Sequence, residues 1–118
     1  MRDVTEAQKE VIAYGLKDLG PYEVALLCAR GKTEAYQFAD QLASAIKEAG
    51  WHVRQPLPQD WTIPPVGVAV GVVDYVSPGP AALALLHVLN AANISDRSDV
   101  ERVTATEPGN LFLIVGDE

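Results

Sequence analysis

The sequence predicts an α/β fold: a three-layer sandwich around a small, mostly parallel sheet of four or five strands, with an additional N-terminal helix. Three observations carry this. Tyr22 to Cys28 and Val66 to Val73 are continuous apolar runs, as strands covered on both faces require. A helical pattern follows each run, over 33–49 and 80–92, which is the alternation of a βαβ chain. The 118 residues, 48% apolar and 21% charged, suit one globular domain large enough to bury its own core.

The elements read in order as follows. Thr5-Glu6-Ala7-Gln8 is a capping box that opens a helix, because the threonine hydroxyl and the glutamine amide can each satisfy a free backbone N–H. Val11, Ile12, Gly15, Leu16 and Leu19 continue it at helical spacing, and Gly20-Pro21 ends it. This helix precedes the α/β pattern, so residues 1–20 read as a helix or connector and 21–118 as the α/β domain.

After the strand 22–28 comes the loop Ala29 to Lys32, and Thr33 is placed to cap the second helix. Its stripe of Ala35, Phe38, Ala39, Leu42, Ile46 and Ala49 has the 3.6-residue period, and Gly50 stops it. Trp51 to Arg54 is a short second strand, and the crossover between the two should be right-handed. Residues 55–65 hold Pro56, Pro58, Pro64 and Pro65, which suits an extended connection and not a sheet interior. In the run 66–73, Gly67 and Gly71 share one face and invite close approach, by a helix above all.

Pro80 suits the first turn of the third helix, which is apolar almost all round to Ala92, with only His87 and Asn90 interrupting. Such a helix must be covered on more than one side. Residues 95–99 form a polar loop, Val100 to Thr106 a short strand, 107–110 a turn, and Leu111 to Val115 the last strand. The expected strand order is near 2-1-3-4.

Composition narrows the function. The net charge of −7 opposes non-specific binding to nucleic acid or an anionic membrane surface. One cysteine, Cys28, excludes an internal disulfide, and with His52 and His87 far apart in sequence it supplies metal ligands poorly. No cofactor is called for. No apolar stretch approaches the ~20 residues of a membrane span, and the polar start is unlike a signal peptide, so the expected compartment is the cytoplasm.

The best candidate ligand site rests on topology. Gly31-Lys32-Thr33 falls short of a phosphate-binding P-loop, which needs glycine at position 26, where Leu26 stands. If the strands 22–28 and 66–73 are neighbours, however, a crevice lies between loops 29–33 and 74–79. Arg30, Lys32, Thr33, Asp74, Tyr75 and Ser77 would line it, with a helix N-terminus and two cations suited to a small anion such as a nucleotide. No nucleophile–base pair falls there. Cys28 reads as a small buried hydrophobe, and Trp51 and Trp61 as aromatics packed over the sheet edge.

The stretches 34–53 (EAYQFADQLASAIKEAGWHV), 64–73 (PPVGVAVGVV) and 81–94 (AALALLHVLNAANI) together resemble a small Rossmann-like α/β domain of uncharacterised prokaryotic proteins that often follows transmembrane helices. The resemblance covers about residues 20–116 and implies a soluble cytoplasmic domain with no assigned activity. The helix 5–19 would then lead from a membrane part. A fainter likeness is to TIR-type domains, whose acidic catalytic position is not recognisable here.

Two functions follow as expectations. The first is a non-enzymatic interaction or sensory domain that forms a homodimer through the helix 80–92, using Leu83, Leu86, His87 and Asn90. The second is a binding module or enzyme acting on a small anion at the crevice. The stripe of Val11, Leu16 and Leu19 is the rival cover for the helix 80–92 within one chain.

Overall fold

Among the described residues of the computed structural model, nine elements follow one another: α1 (Glu6–Leu16), β1 (Glu23–Ala29), α2 (Thr33–Glu48), β2 (His52–Val53), β3 (Leu57–Gln59), β4 (Val68–Val72), α3 (Pro80–Ala91), β5 (Glu101–Arg102) and β6 (Leu111–Val115). The structure describes residues 3–54, 57–59, 65–74, 79–103 and 111–117. The expected strands 51–54, 66–73 and 111–115 are present, the last residue for residue. Pro58 lies in β3, an edge strand on β1, where a missing N–H is tolerated. Residues 104–106 of the expected strand 100–106 lie outside the described residues.

The sheet is mostly parallel, and its order is β2-β1-β6-β4-β5, with β3 beside β1. β1 is parallel to β2, β3 and β6, and β4 is parallel to β5. Among the described strands only β4 and β6 run antiparallel, in the register Val68 opposite Val115 through Val72 opposite Leu111. The expected contact between the strands 22–28 and 66–73 is therefore absent. β6 lies between them, and β4 points the opposite way from β1.

That reversal fixes the layers. Strand–helix–strand crossovers are right-handed in nearly all proteins. The unit β1-α2-β2 steps toward one sheet edge. The unit β4-α3-β5 starts in the reverse direction and steps toward the other edge. A half-turn about the sheet normal relates the two, and it preserves the face, so equal handedness puts both helices on one side. Val24, Leu26, Val68, Val70, Leu113 and Val115 accordingly share one core cluster with all three helices. The alternate residues Ala25, Leu27, Ala69, Phe112 and Ile114 form a separate cluster that no described helix joins. The three-layer sandwich expected around a mostly parallel sheet is not the arrangement of the described elements.

α2 lies over β1, β2 and β6, α3 lies over β4, and α1 packs against both helices. Ile12 and Leu16 are fully buried in the shared core, so α1 belongs to the same folded unit as the rest. The capping box forms as expected, with Gln8 N donating to Thr5 Oγ1 at 3.1 Å and Thr5 N donating to Gln8 Oε1 at 2.9 Å. Gln8 Nε2 also donates to Ala92 O at the end of α3, at 2.9 Å. Beside α2, Gln41 Nε2 donates to Asp3 Oδ1, and Val4 N donates to Gln41 Oε1 at 2.6 Å. At the other end of α1, the buried indole of Trp51 donates to Leu16 O (3.2 Å) and Leu19 O (2.8 Å). Its ring meets Tyr22 edge-on, with centroids 5.3 Å apart.

Two glycines were read from spacing alone, and the structure separates them. At Gly71 a Cβ would meet Val103 Cγ1 at 2.6 Å, so the close neighbour is a side chain after β5 and not a helix. Gly67 sits in a turn with nothing within 4 Å of a Cβ. α3 packs on the opposite face, over Val68, Val70 and Val72. The glycine that does admit a helix is Gly15, where a Cβ would come within 2.5 Å of Val88 Cγ2.

Gly15 yields a test of the α1–α3 contact. On an exposed helix, Gly→Ala stabilises by up to about 1 kcal/mol. Here the new methyl meets a β-branched side chain with little rotamer freedom, so Gly15→Ala should destabilise by about 1–3 kcal/mol in urea titration. In a Val88→Ala background the sign should reverse. Stabilisation by Gly15→Ala in the otherwise unchanged chain would mean that the two helices do not touch there.

Candidate functional site

The loop 30–32 leaves the C-terminal end of β1, where β6 also ends and β4 begins. Gly31 takes φ +77°, a left-handed turn that lets the chain reverse into α2. The N-cap of α2 is Lys32, not Thr33. Thr33 is the first helical residue and is exposed, and no side chain caps the helix. Lys32 Nζ lies 3.8 Å from Asp117 Oδ2 just after β6, with both side chains about half exposed. The carboxylate opposes a bound anion, and so exposed a pair adds little stability.

Asp74 follows β4, and β4 runs the other way. The register places Val72 beside Leu111, at the end where β6 starts. Gly79 and Pro80, which begin α3, line a small hollow of about 250 Å³ with Tyr22 and Glu23 at the N-terminal end of β1. Arg30, Lys32 and Thr33 thus sit at one end of the sheet and Asp74 at the other. Tyr75 and Ser77 lie outside the described residues. The structure does not bring the two halves of the expected crevice together.

Cys28 is buried at the end of β1, and burial pushes its thiol pKa up. Trp51 is buried against Tyr22 and α1, and Trp61 lies outside the described residues. His52 is exposed on β2 at the sheet edge, and His87 is exposed on α3.

The four residues expected at a helix–helix interface divide. Leu86 is buried in the core, because that side of α3 faces the sheet. Asn90 is half-buried, and its Nδ2 donates to Leu86 O (2.9 Å) and Arg97 O (3.0 Å), which holds the loop after α3. Leu83 is 51% exposed, and His87 lies one turn along the same side.

A second apolar surface adjoins His87. Val11 is 38% exposed and Tyr14 76% exposed on α1. Around Tyr14 lies an open depression of about 910 Å³, bounded by His87, Val88 and Ala91 of α3 and by Glu48 at the end of α2. Sequence reasoning assigned Val11 to the buried stripe with Leu16. The missed signal is that the apolar arc of this helix, from Ala7 through Val11, Ile12 and Tyr14 to Leu16, is wider than one buried face.

Comparison of the chain with family models, with curated proteins and with solved structures returned no match. Among the described residues no helix is long and apolar enough to cross a membrane.

The position of Cys28 predicts its reactivity. Thiolate is the attacking species, and here it is both scarce and shielded. Alkylation by iodoacetamide at mildly alkaline pH should be slower than for an unfolded chain by on the order of a thousand-fold, a factor set by the opening free energy. Alkylation at the unfolded-chain rate would place the thiol at the surface.

Proposed function

We propose that this chain is a non-enzymatic interaction domain that forms a homodimer through the outer surface of α1 and α3. One observation carries the reading: the exposed apolar side chains Val11 and Tyr14 line the depression between these helices, and the exposed Leu83 lies on α3 one turn before His87, which also lines it. Contiguous apolar surface is unusual on a monomer and marks an interaction site. Tyrosine is among the residues enriched at such sites. α3 carries no Asp, Glu, Lys or Arg along its length, so it brings no charge that must be desolvated on association.

A closed, symmetric pair is the commonest way for a chain to cover its own apolar patch. Of the residues expected at the interface, Leu83 and His87 are the accessible ones, and Val11 and Tyr14 join them. The setting we propose is the cytoplasm, with the domain free or as the soluble part of a membrane-linked protein. A single buried thiol suits that reducing compartment. The alternative, a small anion held in the expected crevice, needs Arg30 and Lys32 beside Asp74, and the reversed direction of β4 favours the first reading over it.

Sedimentation velocity tests the proposal. The chain should shift from monomer to dimer as its concentration rises from about 1 to about 100 µM, a range that brackets many standard-sized interfaces. Tyr14→Glu and Leu83→Glu should each return it to monomer, with the unfolding midpoint that the unaltered chain shows when dilute and monomeric, because both side chains are exposed. A chain that stays monomeric at about 100 µM, well above micromolar dissociation constants, contradicts the reading.

A further inference from the structure

We infer that the pair is built with α1 antiparallel to the α1 of the second copy, so that Glu10 of each copy meets Lys17 of the other. The inference rests on the self-association proposed above and specifies its geometry.

Ala7, Glu10, Tyr14 and Lys17 recur at intervals of three and four, so they share one side of the helix. Lys17 is the residue that caps the helix C-terminus, and all four line the depression. The acid stands toward the N-terminal end and the base at the C-terminal end, with the apolar ring between them. A surface of that kind complements itself only when turned end to end.

A twofold axis that brings position 10 onto position 17 passes between Ala13 and Tyr14. Each exposed Tyr14 ring then lands on the small, half-buried Ala13 of the other copy. Lys17 Nζ already lies over the Tyr14 ring of its own chain, 4.6 Å from the centroid. The base and the ring therefore reach the second copy together. Glu48, at the rim of the same depression, is a further carboxylate on the side that an incoming lysine approaches. Antiparallel helix dipoles attract where parallel ones repel.

The net charge of −7 per copy makes this choice matter. Two such chains repel at long range. The parallel twofold arrangement would add Glu10 against Glu10 and Lys17 against Lys17. The antiparallel one replaces both repulsions with attractions, and each pair occurs twice by symmetry.

Charge exchange tests the geometry. Dissociation constants would be measured by sedimentation equilibrium near physiological ionic strength for the unaltered chain, E10K, K17E and the double exchange E10K/K17E. Each single exchange should weaken the dimer about tenfold, since two rim pairs turn from attraction to repulsion, and the double exchange should return to within about threefold of the original. Glu10→Gln and Lys17→Gln should each weaken it about threefold, and they keep the test open if a reversed charge disturbs folding. E10K is the discriminating variant. It lowers the net negative charge, so general repulsion alone predicts a tighter dimer where the antiparallel pairing predicts a weaker one. Single exchanges without effect, a tighter E10K dimer, or a double exchange no better than the singles would overturn the antiparallel geometry. If Tyr14→Glu still abolishes the dimer in that case, the interaction surface stands and only its geometry falls. A chain that never dimerises overturns both.

Discussion

The antiparallel pairing of β4 with β6 is the constraint from which the rest of the described architecture follows. Five residue pairs, from Val68–Val115 to Val72–Leu111, join the half built on β1 to the half built on β4. Each half is a βαβ unit that grows outward from this central pair. Because the halves run in opposite directions and share one handedness, their helices fall on the same face of the sheet. The same reversal puts Asp74, which follows β4, at the opposite end of the sheet from Arg30 and Lys32. Among the described residues, the chemistry suggested by Arg30 and Lys32 therefore has no second wall from the end of β4.

Two helices on one face leave their outer flanks uncovered, and α1 answers this. It sits against both α2 and α3 and adds the fully buried Ile12 and Leu16 to the common core. Hydrogen bonds fix its ends: Gln8 to the last turn of α3, Gln41 to the residues before the cap, and the Trp51 indole to the carbonyls at its far end. Buried polar contacts such as the Trp51 pair specify position more than they add stability, since leaving any of them unmade is costly. Gly15 is the complement on the packing side, a gap in the helix surface that Val88 fills. What α1 does not bury is its outer stripe with Val11 and Tyr14, and this remainder is the surface on which the proposed association depends.

Much of this was legible in the sequence, and the physics shows why the rest was not. Leu111–Val115 could be bounded to the residue because a short apolar run stood between a turn signal and a polar tail. The Thr5–Gln8 box was readable because capping is local chemistry between residues three apart. Strand direction was not readable. Val68–Val72 and Leu111–Val115 are apolar on both faces, and such a run carries the same pattern whichever way it points. The premise of the candidate site depended on it, since it took the strands 22–28 and 66–73 as neighbours and β6 lies between them. In α3 the missing polar face hid which side turns outward, so Leu86 and Leu83 read alike although one is buried and the other half-exposed. The cover for α3 was foreseen as a choice between α1 and a second copy. α1 takes the side of Val88, and the side of Leu83 and His87 remains accessible.

The one-sided helix layer therefore depends on the direction of β4 relative to β6, which nuclear magnetic resonance can read directly. Antiparallel strands bring the Hα atoms of alternate, non-hydrogen-bonded pairs close together, with Cα atoms about 4.5 Å apart, and parallel strands do not. Strong Hα–Hα cross-peaks should appear at every second pair of the register that runs from Val68–Val115 to Val72–Leu111, with none between β1 and β4. Cross-strand contacts joining β4 directly to β1, in a parallel register, would contradict the reversed half, the one-sided helix layer and the surface derived from it.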